Sequence, residues 1–311
     1  MADLILHHYD NSPFSQKVRW VLGLKGLDWQ SVTVPVMMPK PDVLALTGGY
    51  RRTPFLQIGA DIYCDTALMC RVIDALAPQP PLYPAALLGQ ASVLAQWADS
   101  ALFWAAVPLT LQLGGPTGIL PDATPEFLKA FAADRAAMSA GLRRAGPHDG
   151  RAQVASYFSW LEQMLADGRR YMLGDAPCVA DMAIAQSIWF VRLSPAVAAQ
   201  LLPPYPQLLA WYERIEGFGN GRSRPLSSTD ALALSATARG HAACQVVPGL
   251  GFEAGAEISV SALDYGADPV AGRLVGLNGD EVVVERHDER AGRVHVHFPR
   301  IGYQIKADRK T

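Results

Sequence analysis

The hydrophobic pattern of the first 76 residues changes period several times. Apolar positions that alternate with polar ones are typical of strands, and apolar positions three or four apart are typical of helices. The pattern predicts a strand at 4–9, a helix that begins after Ser12 and ends at Gly26, a strand at 29–34, a hairpin around Gly59-Ala60-Asp61 and a helix at 66–76. Prolines and glycines at 35–52 predict a loop with at most a short helix near 41–46.

The next part of the chain has a helical pattern throughout. A proline-rich stretch at 77–86 is interpreted as a linker. Helices are then predicted at about 87–113, 124–144, 150–167, 179–193 and 205–217. Long stretches without strand signals indicate an all-α domain.

The character changes again after a glycine-rich break at 217–225. A short helix is predicted near 229–239, and alternation with period two over 257–305 predicts four strands and a short fifth. Turn signals at Gly266, Asn278-Gly279 and Gly292 separate these strands. A compact small barrel is the expected form.

These elements define an α+β multidomain chain. The order of the first five describes a thioredoxin-like domain, for which we predict the bounds 1–78. An all-helical domain at 86–228 and a small β-barrel-like module at 229–311 are predicted to follow. A length of 311 residues is consistent with two or three domains.

Composition excludes several classes of protein. The net charge of −2 gives no large basic field, so we expect no nucleic-acid partner. No apolar run reaches the length of a membrane span, and the N-terminus has no signal-peptide pattern. The four cysteines form no CxxC and no metal-ligand spacing. We therefore expect reduced thiols, a cytoplasmic location, no membrane partner and no bound metal.

Ser12 is the first candidate for chemistry. It suits the N-cap of the first helix, where its oxygen can accept from the Ser15 amide while its hydroxyl proton points at a ligand. The positive end of the helix dipole lies directly ahead. A thiolate placed there would be stabilised by both the hydroxyl and the helix. The alternative is that Ser12 serves only as an N-cap.

Two further pairs of residues could hold a peptide-like ligand. A cis Thr53-Pro54 bond would present the backbone of Thr53 to an extended peptide, and the alternative is a trans proline that opens a strand. Asp65 and Thr66 stand at a helix start, where a carboxylate and a hydroxyl can hold an α-ammonium and an α-carboxylate. The alternative for this pair is plain capping.

Together these motifs resemble those of the soluble glutathione transferase superfamily. The resemblance covers about residues 4–218 and rests on Ser12-Pro13-Phe14-Ser15-Gln16-Lys17-Val18-Arg19, Thr53-Pro54-Phe55, Asp65-Thr66 and Gly174-Asp175-Ala176-Pro177-Cys178-Val179-Ala180-Asp181. The last run resembles the family's capping box, Gly-Asp-x-Pro-Ser/Thr-x-Ala-Asp.

The resemblance implies a role for each matched residue. Ser12 would orient and activate the thiol of glutathione, as the catalytic residue. The implied glutathione-binding residues are Ser12, Phe14, Thr53, Pro54, Asp65 and Thr66. Glutathione would be a co-substrate, the second substrate would be a small electrophilic or apolar molecule, and the protein would be a homodimer.

Some positions depart from the family pattern or leave alternatives open. Serine at position 12 cannot form the mixed disulfide of the cysteine-containing subgroup, which disfavours thiol-transfer chemistry. Tyr9 and Ser15 remain rival hydroxyl groups. Cys178 replaces the capping hydroxyl with a thiol, a weak hydrogen-bond acceptor. Arg51 and Arg52 could reach the glycine carboxylate of glutathione or could form a solvated basic pair.

The helical domain and the module offer weaker signals. Phe103, Trp104 and Trp97 are candidates for the second-substrate pocket, with packing in the core as the alternative. His295 and His297 share one face of a predicted strand, and His287 lies on the partner strand. Such a cluster could bind a metal, but the sequence shows no complete ligand set, and a structural role is the expectation.

Two functions remain open from the sequence. The first is a glutathione transferase-like enzyme that activates the glutathione thiol for attack on a small electrophile. The second is a non-catalytic protein of this fold that acts as an interaction or ligand-binding scaffold through its cleft or its β module.

Overall fold

The computed structural model describes residues 3–113, 119–120, 122–143 and 145–307. The first part of the chain contains β1 (Ile5–His8), α1 (Pro13–Leu24), β2 (Asp28–Thr33), α2 (Pro41–Thr47), β3 (Phe55–Ile58), β4 (Asp61–Cys64) and α3 (Thr66–Leu76). The helical part contains α4 (Leu88–Trp97), α5 (Phe103–Pro108), α6 (Pro125–Met138), α7 (Pro147–Met164), α8 (Val179–Arg192), α9 (Pro195–Leu201) and α10 (Pro206–Glu216). A π-helical turn at Ala98–Leu102 joins α4 to α5, and another at Leu109–Leu113 follows α5.

The last part contains β5 (Arg222–Pro225), α11 (Ser228–Thr237), β6 (Glu257–Ala262), β7 (Val270–Leu277), β8 (Glu281–Asp288), β9 (Gly292–Pro299) and β10 (Tyr303–Ala307). The predicted thioredoxin-like domain, helical domain and β module are thereby confirmed. Sequence analysis missed α9 and β5. The exact domain bounds stay a prediction.

Four strands form the sheet of the thioredoxin-like domain. β1 runs parallel to β2 and antiparallel to β3, and β3 forms the predicted hairpin with β4. The side chains of successive residues in a strand point to opposite faces of the sheet. Leu6 and Leu56 accordingly pack in the core shared with the helical domain, whereas Ile5 and Phe55 pack in a second core on the other face.

The β module continues this sheet. β9 runs parallel to β4, with His295, Val296 and His297 opposite Asp61, Ile62 and Tyr63. The hydrogen-bonded order of the ten strands is β10-β6-β7-β8-β9-β4-β3-β1-β2-β5. The described strands of the module therefore form an open row that extends the first sheet, instead of closing on themselves as a separate barrel.

The second core belongs to both the first domain and the module. It contains Ile5, Phe55 and Ile62 from the first sheet together with residues of the module such as Val296 and Phe298. Helix α11 contributes Ala231 and Leu232 to this core. Ser228 Oγ donates to Asp42 Oδ2 at 2.6 Å, and the Gln57 amide donates to the Ala231 carbonyl at 2.9 Å, which holds the helix in place. Neither part would retain this core alone.

Helix α8 is the centre of the helical domain. Cys178 is its N-cap, and the buried Asp181 carboxylate accepts from the Cys178 amide at 2.8 Å and the Trp211 indole at 2.8 Å. The predicted capping box is thus formed with a thiol in place of the hydroxyl. Among the described residues no single helix is long and apolar enough to span a membrane; only α8 and α9 taken together meet that test, across a bend of 116°.

The shared core predicts that a substitution in the module destabilises the first domain. Phe298 is fully buried and packs against Tyr50 with 5.9 Å between ring centroids. Phe298→Ala should lower the free energy of unfolding by about 3–5 kcal/mol because it leaves a large cavity. All seven tryptophans lie before residue 229, so tryptophan fluorescence during urea unfolding reports mainly the first two domains, although Trp104 also contacts Tyr265 of the module.

The matched control is Ile301→Ala, because Ile301 is 68% exposed and its truncation should change stability by less than about 0.5 kcal/mol. If Phe298→Ala left the tryptophan transition unmoved, the shared core would be contradicted.

Candidate functional site

Two cavities meet where α1, the loop before β3 and the module come together. The first has a volume of about 330 Å³ and is lined by Pro54, Asp65 and Thr66 among others. The second, of about 130 Å³, is lined by Ser12. Phe14 and Thr53 line both, as do Arg52 and Tyr265. The structure therefore brings the six predicted site residues to one connected region.

Ser12 is positioned by the start of α1. Its Oγ accepts from the Ser15 amide at 3.2 Å, and only 1% of the residue is exposed. Burial raises the pKa of Tyr9, so Tyr9 stays protonated at neutral pH. Tyr9 lines the same cavity as Ser12, whereas in the described part of the chain Ser15 lines neither cavity. Tyr9 thus shares the cavity with Ser12, whereas Ser15 holds Ser12 through its amide from outside the cavity.

Asp65 and Thr66 form the opposite corner of the region. Asp65 has φ 75° and ψ 132°, a conformation that strains a residue with a side chain, and its Oδ1 accepts from the Ala67 amide at 2.9 Å. The Thr53–Pro54 peptide bond nearby is cis. Non-glycine residues held at a positive φ, as Asp65 is, cluster at ligand sites.

A buried ion pair lies directly beneath this corner. Lys17 is fully buried, and its ammonium donates to Thr66 Oγ1 at 3.1 Å and Asp99 Oδ2 at 2.5 Å. Burial alone would lower the pKa of Lys17, but the carboxylate of Asp99 outweighs it and the pKa is raised. Burial raises the pKa of Asp99, which Lys17 opposes. Lys17 thus stays charged and leaves the Thr66 hydroxyl proton free to donate elsewhere.

The module supplies the third wall of the site. Arg52 donates from Nη2 to Asp264 and to the Tyr265 carbonyl, and its guanidinium carbon lies 3.9 Å from the centroid of the Tyr265 ring. The Tyr303 hydroxyl donates to Asp65 Oδ2 at 3.2 Å. Tyr265 also packs edge-on against Trp104, with 4.9 Å between centroids. The module therefore touches both corners of the region.

The sequence did not predict these module contacts. Tyr303 stands at the start of the predicted short fifth strand, and Lys17 stands within the matched first-helix motif; neither position alone indicates a role. Tyr265 and Asp264 stand beside the predicted turn at Gly266 and gave no signal of their own. The module residues reach the site because β9 pairs with β4.

Aromatic side chains line the second cavity. Phe103 packs against Phe14 at 4.6 Å and Phe190 at 5.9 Å between centroids, and Trp104 lies beside it. Trp97, the third predicted candidate, instead packs against Tyr157 at 5.1 Å in the helical core. The cavity is thus apolar where α5 and α8 line it.

Basic side chains of the first domain and of α6 line another part of the second cavity. They are Lys40, Arg51, Arg52 and Arg135. Lys40 donates to Thr53 Oγ1 at 3.1 Å, and Arg51 pairs with Asp134. Burial, reinforced by Arg135 and Arg51, lowers the pKa of Lys40 to about 7. Arg51 is therefore part of a buried network and is not a solvated surface charge.

Comparison with known proteins agrees with this architecture. Family models described as glutathione S-transferase N-terminal domain and C-terminal domain match residues 6–81 and 120–214. A glutathione S-transferase-like protein from Pseudomonas syringae is 38% identical, with a TM-score of 0.81 over 99% of this chain and 100% of that chain. That match includes the β module. No curated protein matches the sequence.

More distant structures share the fold alone. A glutathione S-transferase from Rhodospirillum rubrum is 22% identical, with a TM-score of 0.51 over 68% of this chain and 87% of that chain. A β-etherase from Sphingobium is 17% identical, with a TM-score of 0.52 over 68% and 94%. A thioredoxin-like domain followed by this helical domain defines the glutathione transferase class. The chain belongs to the glutathione S-transferase superfamily.

The lowered pKa of Lys40 predicts a pH dependence of stability. In the unfolded chain a lysine titrates near pH 10.4, so between pH 7 and 10 the unfolded state binds a proton that the folded state does not. This group therefore makes the protein more stable as the pH rises through that window, by about 2 kcal/mol from pH 7 to 9.

The measurement is urea unfolding of the wild type and Lys40→Met at both pH values. The wild type should gain about 2 kcal/mol more than the variant over this interval, because methionine cannot titrate. Equal changes in the two proteins would show that Lys40 titrates normally.

Proposed function

We propose that the protein is a glutathione transferase that ionises the glutathione thiol at Ser12 and adds it to a small electrophile. The observation that carries this proposal is the arrangement of Ser12 and Asp65. Each caps the start of a helix, and each faces one of two cavities that meet at Phe14 and Thr53. An extended tripeptide would lie between these two helix starts.

The γ-glutamyl end of glutathione fits the Asp65 corner. Its α-ammonium would pair with the Asp65 carboxylate, and its α-carboxylate would accept from the Thr66 hydroxyl and the free amides of α3. The charge of Lys17 directly behind Thr66 favours that carboxylate. Tyr303 holds one oxygen of Asp65 and so orients its carboxylate.

The thiol would lie at the start of α1. The Ser12 hydroxyl would donate to the sulfur, and the Tyr9 hydroxyl, which lines the same cavity and stays protonated, would lie nearby. Lowering a thiol pKa from about 8.5 to about 7 requires about 2 kcal/mol, which a hydroxyl and a helix terminus can supply. The thiolate would then form a bond to carbon, the leaving group would depart, and the thiol proton would pass to solvent.

The second cavity suits the remaining groups. Lys40 and Arg51 are near enough to Thr53 to receive the glycine carboxylate, and the apolar wall of Phe103, Trp104 and Phe190 would receive the electrophile. Proximity of the two substrates would supply much of the rate increase. The cytoplasmic location and the homodimer stay predictions.

A non-catalytic scaffold is the second candidate. Tyr265 and Arg52 stand between the two cavities, and Tyr303 already occupies one oxygen of Asp65. In this second candidate the Arg52–Tyr265 contact would keep a tripeptide from reaching from Asp65 to Ser12. The cleft would then bind a different ligand without turnover.

Calorimetric titration with glutathione distinguishes the two. We expect one site per chain with micromolar to low millimolar affinity, lost in Asp65→Ala. Tyr303→Phe keeps the ring and removes only the hydroxyl, so it should retain binding. Absence of binding in the folded wild type would rule out the transferase proposal.

The role of Ser12 is tested separately by the ultraviolet absorbance of bound thiolate as a function of pH. The bound thiol should have a pKa of about 7 in the wild type and in Ser15→Ala, and about 8.5 in Ser12→Ala. Addition to an activated aryl halide at pH 7 should slow about tenfold or more in Ser12→Ala. Equal pKa values in all three proteins would assign the chemistry to another residue.

A further inference from the structure

Three histidines surround one buried carboxylate at the join between the first domain and the module. Asp61 Oδ1 lies 3.4 Å from His241 Nδ1, 3.8 Å from His295 Nδ1 and 2.9 Å from His297 Nε2. Asp61 is on β4, His295 and His297 are on β9, and His241 follows α11. The group lies apart from the candidate glutathione site, since none of its members lines either of those cavities among the described residues.

Two of these ring nitrogens have no hydrogen-bond partner among the described residues. They are the Nδ1 atoms of His241 and His295, both buried. His295 Nε2 lies 3.4 Å from Glu285 Oε2, which places the ring proton on Nε2 and leaves a lone pair on Nδ1. A lone pair and a carboxylate oxygen that face each other repel unless a cation lies between them.

The remaining groups orient the carboxylate. His297 is held between Glu281 Oε1 at 2.7 Å and Asp61 Oδ1 at 2.9 Å, so both of its nitrogens are engaged. The Ala242 amide donates to Asp61 Oδ2 at 2.9 Å. Hydrogen bonds of this kind fix metal ligands in protein sites, as the Glu285 contact would fix His295.

The spacing of the three atoms fits a zinc ion. Zinc binds histidine nitrogen at about 2.0–2.1 Å and carboxylate oxygen at about 2.0–2.2 Å with tetrahedral angles, which separates neighbouring ligand atoms by about 3.4 Å. The observed separations from Asp61 Oδ1 are 3.4 and 3.8 Å, and all three ligand atoms lie within 4.8 Å of one another. Imidazole and carboxylate ligands suit zinc and similar first-row ions.

We propose that Asp61, His241 and His295 bind one zinc-type divalent cation, with His297 and Glu285 as positioning residues. An open cavity of about 420 Å³, lined by Asp61 and His241, leads from the surface to this point. It provides an entry path and room for a water molecule as fourth ligand. The sequence expectation of no metal rested on spacing, which did not bring Asp61 or His241 to the two strand histidines.

Binding requires one adjustment. The rings of His241 and His295 are stacked, with 3.6 Å between centroids and 11° between planes, so their lone pairs lie in parallel planes. One ion can meet both only after the His241 ring turns out of the stack. His241 lies outside helices and strands, on the segment between α11 and β6, where such a rotation disturbs no backbone ladder.

The expected consequence is a cross-link between parts of the chain that are distant in sequence. The three ligands come from β4, from the segment after α11 and from β9. Metal binding would therefore stabilise the join between the first domain and the module, independently of the proposed transferase activity.

The test is calorimetric titration of chelator-treated, tag-free full chain with Zn²⁺, paired with Co²⁺ absorption spectra. All proteins carry Cys244→Ser, because Cys244 is exposed and its thiol could bind metal by itself. We expect one ion per chain, tetrahedral Co²⁺ bands and a raised melting temperature. His241→Ala and His295→Gln should each weaken binding at least tenfold, Glu285→Gln should weaken it about 10–100-fold, and the exposed His287→Ala should not change it.

His241→Ala decides the result if His295→Gln fails to fold, since His241 lies outside the sheet. Its circular dichroism spectrum should match that of the wild type. No Zn²⁺ binding to the folded Cys244→Ser protein, or binding of equal affinity when His241→Ala is added, would overturn the proposal.

Discussion

The pairing of β9 with β4 is the interaction on which the rest of the structure depends. Without β9, β4 would be the edge of the first sheet, with a row of unpaired backbone groups. The module covers that edge in parallel register and shares a core with the sheet's second face. This register sets where Tyr303 and Tyr265 lie over the candidate glutathione site and where His295 meets Asp61. A single strand pairing therefore connects the fold, the site and the histidine cluster.

Buried charge gives the site its chemical character. Lys17 and Asp99 form an ion pair beneath the Asp65 corner of the site. Arg52 lies between Tyr265 and Asp264 at the wall that the module supplies. Charges removed from water interact more strongly than charges at the surface. The same burial that makes such pairs costly to break keeps their side chains in place, so a ligand would meet an arrangement that is already formed.

Local signals predicted most elements of the fold. Ser12-Pro13 started α1, the hairpin residues placed β3 and β4, and alternation placed β6 to β9. Strand β5 was missed because Arg222–Pro225 is short, polar and exposed, and it pairs with β2 through its backbone and an exposed Arg222–Asp28 ion pair. The pairing of β4 with β9 joins residues more than two hundred positions apart, for which no local pattern exists. The predicted site residues Ser12 and Asp65 followed from helix starts, whereas the roles of Tyr303 and Lys17 depend on tertiary contacts.

Native-state hydrogen exchange tests the central claim that the ten strands form one cooperative sheet. The His295 amide, which donates to the Ala60 carbonyl at 3.0 Å, reports the join, and the amides of β1 and β3 report the first sheet. If the sheet unfolds as a unit, the free energies of exchange should agree within about 1 kcal/mol. Exchange of the β9 amides at a free energy several kcal/mol below that of β1 and β3 would show that the module opens independently and would contradict the account.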